Sequence, residues 1–260
     1  MKTILITGAR SGIIHQVIEQ LLNKNYHIYV SVHTENELVR IQKKYAEELH
    51  ITSLKLDIQN KDDYKQLDLL DIDIYIATAA IGMGGSIINM DIDRVRENYE
   101  TNVFANLELL QYILNKMIER KSGKVILMAS LAGIMPIPFL GSYCSTKASL
   151  IKWAECLKLE LLEAKIPVTI SLIEPGLYKT GFNQVMLENK YPEIENEAYF
   201  NNMIEFLRLQ DKMILKMSKK NLISISNKIC EAIDNKRPRF IYRAPFFEVT
   251  AAKLFQLFFE

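Results

Sequence analysis

Residues 3–14, TILITGARSGII, join a short apolar run to a glycine-bearing turn and then to the start of a helical pattern. Gly8 permits a tight turn, and Gly12 lets the backbone approach a phosphate at the amino end of the helix, where free N–H groups and the positive end of the dipole lie. Such a junction alone is weak evidence, because glycine also ends strands for steric reasons. At the first strand of an α/β pattern it favours a nucleotide-binding turn.

Continuous apolar runs alternate with helical periods along the next 160 residues. The runs are HIYVSV at 27–32, ITSLKLDI at 51–58, IDIYIATAA at 72–80, GKVILMAS at 123–130 and VTISLIEPG at 168–176. Short uninterrupted runs of this kind are typical of parallel strands that are covered on both faces. No linker, repeat or low-complexity segment divides the chain. We therefore expect one α/β domain over 1–260, a doubly wound, Rossmann-type parallel sheet with helices on both faces.

Residues 181–225 are polar and helix-prone, and strand signal returns only with RFIYRA at 239–244. In this topology the segment lies over the carboxyl ends of the strands, where ligands bind. A solvated pair of helices and a substrate lid are both compatible with it. As a lid, it would present apolar side chains to an apolar substrate, namely Phe182, Met186, Tyr199, Phe200, Met203 and Phe206.

Residues 245–260 form a strongly apolar helical pattern at the end of the chain. Exposed aromatic patches are uncommon, so the first interpretation is a helix docked on its own fold or on a partner subunit. The second is an interfacial membrane helix, with KRPRFIYR at 236–243 supplying basic residues for anionic lipid.

Composition limits the remaining possibilities. Lys and Arg number 32 and Asp and Glu number 31, so no net charge favours nucleic acid. Three scattered cysteines suit neither a disulfide framework nor a metal site, and the four histidines lack metal-ligand spacing. No run approaches the roughly 18 apolar residues of a membrane span, and the apolar start is too short for a signal peptide. These features indicate a soluble cytoplasmic protein without a metal.

Tyr143 and Lys147 lie four residues apart in GSYCSTKASL, residues 141–150. That spacing places two side chains on one helix face, where such pairs are often mere surface neighbours. It also suits acid–base chemistry, because an ammonium beside a phenol lowers the pKa of the tyrosine. The phenol could then protonate a carbonyl oxygen or deprotonate an alcohol, and Ser130 could donate a hydrogen bond to the same oxygen.

Taken together, the motifs resemble the short-chain dehydrogenase/reductase family over about residues 1–180. Five features of the family appear in this chain in the family's order. They are the TGxxxGxG turn, an acidic residue after the third strand, a helix asparagine, a serine thirteen residues before YxxxK, and a PGxxxT segment. The matching residues are Thr7, Gly8, Gly12, Asp57, Asn102, Ser130, Tyr143, Lys147, Pro175, Gly176 and Thr180.

The resemblance implies an NAD(P)-dependent oxidoreductase that moves hydride between the cofactor and a carbonyl or secondary alcohol. Its catalytic residues would be Asn102, Ser130, Tyr143 and Lys147, with the lysine also binding the nicotinamide ribose and the asparagine holding a water. The residues expected to contact the cofactor are Gly8, Arg10, Ser11, Gly12, Ile13, His33, Asp57, Ile58, Ala79, Tyr143, Lys147, Pro175, Gly176 and Thr180.

Three positions depart from the family pattern. Ile14 replaces the third glycine of the turn, where a bulky side chain could weaken cofactor binding. ATAA at 77–80 stands where the family has NNAG, so two asparagines that brace the turn are missing, and MAS at 128–130 keeps only the serine. A divergent enzyme is favoured, and the alternative is a non-catalytic dinucleotide-binding sensor or scaffold.

Cofactor choice depends on the end of the second strand. A carboxylate there would bind the ribose 2′-hydroxyl of NAD, but this chain has Val32 followed by His33. Arg10 occupies the turn where a basic residue faces the 2′-phosphate in family members, while Glu35 is expected to point to solvent. NADP(H) is therefore favoured and NAD(H) possible.

The helix carrying Trp153 is often a subunit interface in the family, which implies a homodimer or homotetramer. Trp153 itself is expected to be a packing residue.

Overall fold

The computed structural model describes residues 1–195 and 198–259, and these contain a seven-stranded parallel sheet. Its order is β3-β2-β1-β4-β5-β6-β7, the doubly wound arrangement with one further strand at the β6 edge. The strands are β1 (Lys2–Thr7), β2 (Tyr26–Val32), β3 (Ile51–Lys55), β4 (Ile74–Ala77), β5 (Gly123–Met128), β6 (Val168–Pro175) and β7 (Ile241–Ala244). The predicted fold class is confirmed.

Helices cover both faces of this sheet. In chain order they are α1 (Gly12–Leu21), α2 (Glu35–Lys44), α3 (Ile92–Tyr99), α4 (Asn106–Glu119), α5 (Gly141–Glu163), α6 (Phe182–Glu188), α7 (Tyr191–Ile194), α8 (Ile204–Met217), α9 (Ile223–Asp234) and α10 (Phe246–Phe259). A π-helical segment, Glu100–Ala105, joins α3 to α4, and a 3₁₀ helix, Ala198–Met203, precedes α8.

Alternation along the strands builds two cores. Ile4 and Ile6 of β1 are fully buried against α1 and α9, whereas Leu5 between them belongs to the core under α4 and α5. Successive strand side chains point to opposite faces, so a strand with helices on both sides must be apolar throughout. The same reason explains why the strands appear in the sequence as uninterrupted apolar runs.

The segment after β6 packs over the carboxyl edge of the sheet as α6, α7 and α8. A buried ion pair stabilises it, with Lys190 Nζ 2.8 Å from Asp211 Oδ1, and the Tyr191 hydroxyl donates to the other oxygen of the same carboxylate. The expected boundary at residue 225 is slightly late. Helix α9 begins at Ile223 and packs on α1, where the Gln20 side chain contacts Ser226, so α9 belongs to the layers of the fold.

The apolar end of the chain forms α10, as predicted, directly after β7. Its Glu248 side chain accepts a hydrogen bond from the Leu177 N–H at 2.5 Å, and Ala252 is buried. The basic residues expected to assist it lie elsewhere, because Lys236 to Arg239 precede the amino end of β7 while α10 follows its carboxyl end. At about 3.3 Å per strand residue the two segments are on the order of 20 Å apart.

Candidate active site

A cavity of about 780 Å³ opens along the carboxyl edge of the sheet, beneath α6. It collects residues from the β1 turn, the ends of β2 and β3, the turn after β4, α5 and the PG turn after β6. Of the expected site residues, those that line it are Gly8, Arg10, Ser11, Ile13, His33, Asp57, Ile58, Ala79, Ser130, Tyr143, Lys147, Pro175, Gly176 and Thr180. Gly12 and Asn102 do not line it.

The first turn of the cavity depends on close backbone contact. Gly8 has a φ of 70°, and a Cβ placed on it would lie 2.6 Å from the Ala79 Cα, so the turn after β1 touches the turn after β4. The Ser11 side chain accepts from the N–H of Ile13 and caps α1. Ile14 does not enter the cavity, because its side chain is fully buried in the core beneath α1.

Other residues brace the turn in place of the missing asparagines. Thr78 Oγ1 donates to the Thr7 carbonyl, and the Asn106 amide of α4 donates to the Ala79 carbonyl at 3.0 Å and to Thr101 O at 2.9 Å. The sequence interpretation missed Asn106, although it lies four residues after Asn102 and therefore shares its helix face.

Asn102 lies behind the cavity wall in the π-helical segment. Its carboxamide accepts from the Ile81 N–H at 2.8 Å and donates to the Ile81 carbonyl at 2.9 Å, so it holds the backbone after β4 at both polar groups. Its amide nitrogen is also 3.2 Å from Thr146 Oγ1, which adjoins Lys147 in α5. The side chain therefore joins the β4 turn to α5 and is fully buried.

Ser130, Tyr143 and Lys147 meet at the floor of the cavity, as their spacing predicts. Ser130 caps the short helix after β5 by accepting from the Ala132 N–H at 3.1 Å. Lys147 Nζ lies 5.7 Å from the centre of the Tyr143 ring and donates to the Met128 carbonyl at 3.0 Å. The Phe182 ring of α6 also packs on Tyr143, with ring centres 5.7 Å apart.

The electrostatics of the pair differ from the expectation. Burial raises the pKa of Tyr143 because the phenolate loses water, and the hydrogen bond from Ser130 opposes this rise only in part. Burial also lowers the pKa of Lys147 to about 8. The prediction that Lys147 depresses the pKa of Tyr143 is therefore wrong, because burial dominates and the side chains that act on the phenol are Ser130 and Cys144 rather than Lys147.

A charged cluster at the β2 edge of the cavity contains one residue that the sequence interpretation missed. Arg10 Nη1 and Oε1 of Glu37 form a close ion pair, and His33 Nδ1 lies 2.9 Å from Oε2 of the same carboxylate. Burial alone would raise the pKa of Glu37, but the hydrogen bond and charge of Arg10 outweigh it and lower the pKa. Glu35 is exposed, as expected, and Val32 is buried.

The lid supplies less of the cavity wall than its composition suggested. Phe182 lines the cavity, and Met186 is buried beside Tyr143. Phe200 instead packs on Phe139 away from the cavity, whereas Met203 and Phe206 face solvent. The Tyr199 side chain lies outside the described part of the structure. Ile81 and Met83, which belong to the turn after β4 and not to the lid, supply further apolar lining of the cavity.

Comparison with known proteins assigns the family. The sequence profile of the short chain dehydrogenase family matches residues 2–190, and a probable short-chain type dehydrogenase/reductase, VdlC of Helicobacter pylori, is 30% identical over 193 residues, covering 71% of this chain and 68% of that protein. This chain belongs to the short-chain dehydrogenase/reductase family of NAD(P)-dependent oxidoreductases. The interpretation as a non-catalytic sensor or scaffold is correspondingly not favoured.

Two further relatives have more informative names. The 3-ketodihydrosphingosine reductase of Bacteroides thetaiotaomicron is 26% identical over 260 residues, covering 96% of this chain and 90% of that protein. The NADPH-dependent 3-dehydrocapnine reductase of Ornithobacterium rhinotracheale is 30% identical over 190 residues, covering 69% of this chain and 66% of that protein.

Solved structures share the fold. A short chain dehydrogenase/reductase from Burkholderia phymatum in complex with NAD superposes with a TM-score of 0.81 at 19% identity, covering 97% of this chain and 92% of that one. The closed form of a serine dehydrogenase with NADP⁺ gives a TM-score of 0.77 at 17% identity, covering 93% and 94%. These similarities concern the fold alone.

The described residues offer neither a metal site nor a membrane-spanning element. Over 1–195 and 198–259, no three His, Cys, Asp or Glu side chains are grouped so as to hold a metal ion. Over the same ranges, no helix has both the length and the apolarity that crossing a bilayer demands.

Proposed function

We propose that this oxidoreductase reduces the carbonyl group of a long apolar substrate with NADPH, or oxidises the matching secondary alcohol. The observation that carries the proposal is that Ser130 and Tyr143 line one cavity together with apolar side chains, among them Phe182, whose ring packs on Tyr143. The bound cofactor would supply hydride. The chain's own residues would position the reacting oxygen and move its proton.

In this proposal Tyr143 is the proton donor to the carbonyl oxygen. Its raised pKa keeps the phenol protonated near neutral pH, which suits a general acid in the reducing direction. Ser130 would donate a hydrogen bond to the same oxygen as negative charge develops there. Lys147 would hold the nicotinamide ribose with its ammonium, and Asn102 would fix the β4 turn and the catalytic helix in register.

The phosphate-binding turn fits a dinucleotide. Gly8, Ser11 and Ile13 present the amino end of α1 to the cavity, which favours a pyrophosphate. Gly12 opens α1, and a Cβ on it would meet the Thr180 methyl group only at 4.0 Å, so Thr180 lies above this turn. Asp57 and Ile58, which line the cavity after β3, would contact the adenine.

Preference for NADP(H) rests on Arg10 and on the lack of a carboxylate at Val32. Glu37 complicates this preference, because it already neutralises Arg10. A 2′-phosphate would have to displace Glu37 from the guanidinium, after which Arg10 and His33 would face the phosphate. NAD(H) remains the second candidate, with Glu37 accepting from the ribose hydroxyls.

The apolar substrate is supported by the cavity wall and by the relatives. Phe182, Val185, Ile81 and Met83 line the substrate side, and a reductase of 3-ketodihydrosphingosine aligns over nearly the whole chain. We propose α6, α7 and α8 as a lid that closes the site and keeps it free of water.

The assembly and location follow from other surfaces. Trp153 on α5 is 53% exposed, so its own chain covers only about half of the side chain that was expected to be a packing residue. We propose that this face of α5 is buried in a homodimer or homotetramer, that the protein is cytoplasmic, and that α10, with Phe246 and Phe247 exposed, contributes peripheral membrane contact.

A paired assay tests the function. Long-chain 3-oxo compounds, short 2-oxo acids and sugars would each be supplied with NADPH and with NADH, and oxidation of the cofactor followed by absorbance. We expect turnover with long-chain carbonyls and NADPH, and none with Tyr143→Phe. Equal rates on short polar substrates would reject the apolar substrate class. A preference for NADH would reject the role of Arg10, and Val32→Asp should shift the preference of the wild type towards NADH.

A further inference from the structure

The outward face of the lid helix α8 is apolar although it faces solvent. Phe206, Leu209, Met213 and Met217 are between 55% and 71% exposed. Their spacing of three and four residues places them in one stripe along a helix of 14 residues, about 21 Å long. Single exposed apolar residues are ordinary, whereas an aligned row indicates a surface that something covers.

Helix α8 divides into three faces. The buried face contains Leu207 and Asp211, and it attaches the helix to α6 and α7. At 100° per residue, the exposed apolar stripe is centred about 130° from this buried face. Arg208, Lys212 and Lys216 occupy the third face, which lies about 120° from the buried face and about 100° from the stripe.

The cationic face carries free charge. Arg208 is paired with Glu195, but neither Lys212 nor Lys216 forms an ion pair with any residue in the described ranges. Lys219 and Lys220 follow immediately and are exposed. Glu205 is exposed on this same face, one acidic residue among the three basic ones, whereas Asp211 is buried against Lys190.

We propose that α8 is an interfacial helix that docks the lid on an anionic lipid surface. The apolar stripe would enter the boundary between headgroups and acyl chains, and Lys212 and Lys216 would contact the headgroups. An apolar stripe bordered by lysines is the pattern by which amphipathic helices bind anionic membranes in the plane of the interface.

Charge favours a bilayer over a second copy of the chain. A two-fold interface would place the stripe of one copy on that of the other and bring the adjoining lysines of both copies together. Like charges facing each other across an interface oppose association. An anionic bilayer complements the same lysines.

Docking in this orientation would place the lid between the bilayer and the cavity. Helix α6 packs against α8 through Met186 and Leu187, and Val185 of α6 lines the cavity while more than half of its surface is exposed. An apolar substrate could then pass from the bilayer along α6 to Tyr143. This last consequence depends on the proposed substrate class, whereas the docking itself does not.

Vesicle flotation with the full chain tests the docking without any turnover. The probes are vesicles of phosphatidylcholine alone and of phosphatidylcholine with about a third phosphatidylglycerol. We expect the wild type to float with the anionic vesicles and poorly with the neutral ones. The double variant Leu209→Gln/Met213→Gln should bind anionic vesicles at least about tenfold more weakly, because it removes two apolar side chains from the interface. Lys212→Glu/Lys216→Glu should lose a similar factor.

Matched controls use exposed residues of the same types on other surfaces. Leu49→Gln/Leu69→Gln replaces two apolar side chains that are more exposed than those of α8, and Lys43→Glu/Lys121→Glu reverses two exposed lysines. Both controls should bind vesicles as the wild type does. Circular dichroism of every variant confirms that the fold is retained.

The outcomes separate the docking from the enzymatic proposal. Wild type that does not float with anionic vesicles, or α8 variants that float as well as the controls, would overturn the docking. Gel filtration tests the alternative that a second copy of the chain covers this face. An α8 variant that dissociates into smaller species and still binds vesicles would show that the face is an interface between two copies. Failure of the carbonyl assay would leave the flotation result unaffected.

Discussion

Replacing Lys147 by methionine should stabilise the fold at neutral pH. The side chain is 3% exposed, and burial lowers its pKa from the ordinary 10.5 to about 8. At 1.36 kcal/mol per pH unit, keeping this lysine charged costs the folded state about 3 kcal/mol. The lost hydrogen bond to Met128 O offsets about 1 kcal/mol. We expect Lys147→Met to raise the free energy of unfolding by about 2 kcal/mol at pH 7.

The pH dependence gives this prediction its sign. Between about pH 8 and 10.5 the unfolded chain still binds the proton of Lys147 while the folded chain has released it, so this group makes wild-type stability rise with pH. The rise from pH 7 to pH 9.5 is about 2 kcal/mol. The advantage of Lys147→Met should therefore vanish by pH 9.5, because the variant lacks the titrating group.

Urea unfolding followed by circular dichroism at both pH values measures the difference. Lys152→Met, on the same helix but exposed and paired with Glu155, is the control and should leave the free energy of unfolding nearly unchanged at each pH. Two results would refute the claim that the buried charge of Lys147 destabilises the fold. One is a Lys147→Met variant with a lower free energy of unfolding than wild type at pH 7, and the other is a variant whose gain in that free energy is the same at both pH values.

Three further predictions concern single side chains. Tyr143→Phe should reduce turnover to less than about a hundredth while cofactor affinity, measured by fluorescence titration, stays nearly constant, because only the proton donor is lost; higher residual turnover would remove Tyr143 from its role. Glu37→Gln should strengthen NADPH binding about fivefold by freeing Arg10, with NADH affinity not improved; unchanged NADPH affinity would mean that Glu37 does not compete with the phosphate. Asn106→Ala should lower the free energy of unfolding by about 1–3 kcal/mol in urea, since it leaves the Ala79 carbonyl without its amide donor; an unchanged value would contradict that brace.

The fold could be predicted because its strands are buried on both faces. Such strands leave uninterrupted apolar runs, and the helices between them leave a helical period, so strand positions and sheet class follow from the sequence. All seven strands begin within two residues of the expected runs, as β5 does at Gly123. The tight turn at Gly8 could be predicted as well, because its positive φ favours glycine.

Glu37 escaped notice for a physical reason. Beyond Val32 the sequence interpretation considered Glu35 alone and expected it to point to solvent, as it does. Helix α2 starts at once, however, and its Thr34 cap turns Glu37 back towards the strand end, where it meets Arg10. The pattern Thr34-x-x-Glu37 is the capping signature that could have located it.

The lid and the pKa of Tyr143 were beyond sequence reasoning for another reason. Composition shows that a segment is apolar, but the phase of each helix decides which residues face the cavity, and Phe200 and Phe206 face elsewhere. Similarly, the spacing of Tyr143 and Lys147 states that they are neighbours. It does not state how much water the fold removes from each, and that loss decides both pKa values.

The hydrogen bond from Leu177 N–H to Glu248 attaches the last helix to the PG turn after β6, which we propose as a cofactor contact. The Glu248 carboxylate lies where a Cβ on Gly176 would be, so the turn and the first residues of α10 are in direct contact. Coupling between two sites is reciprocal. If contact with α10 strengthens ligand binding at this turn by a given free energy, then ligand binding strengthens the attachment of α10 by the same free energy. Cofactor concentration should thus set how firmly α10 is held against proteolysis.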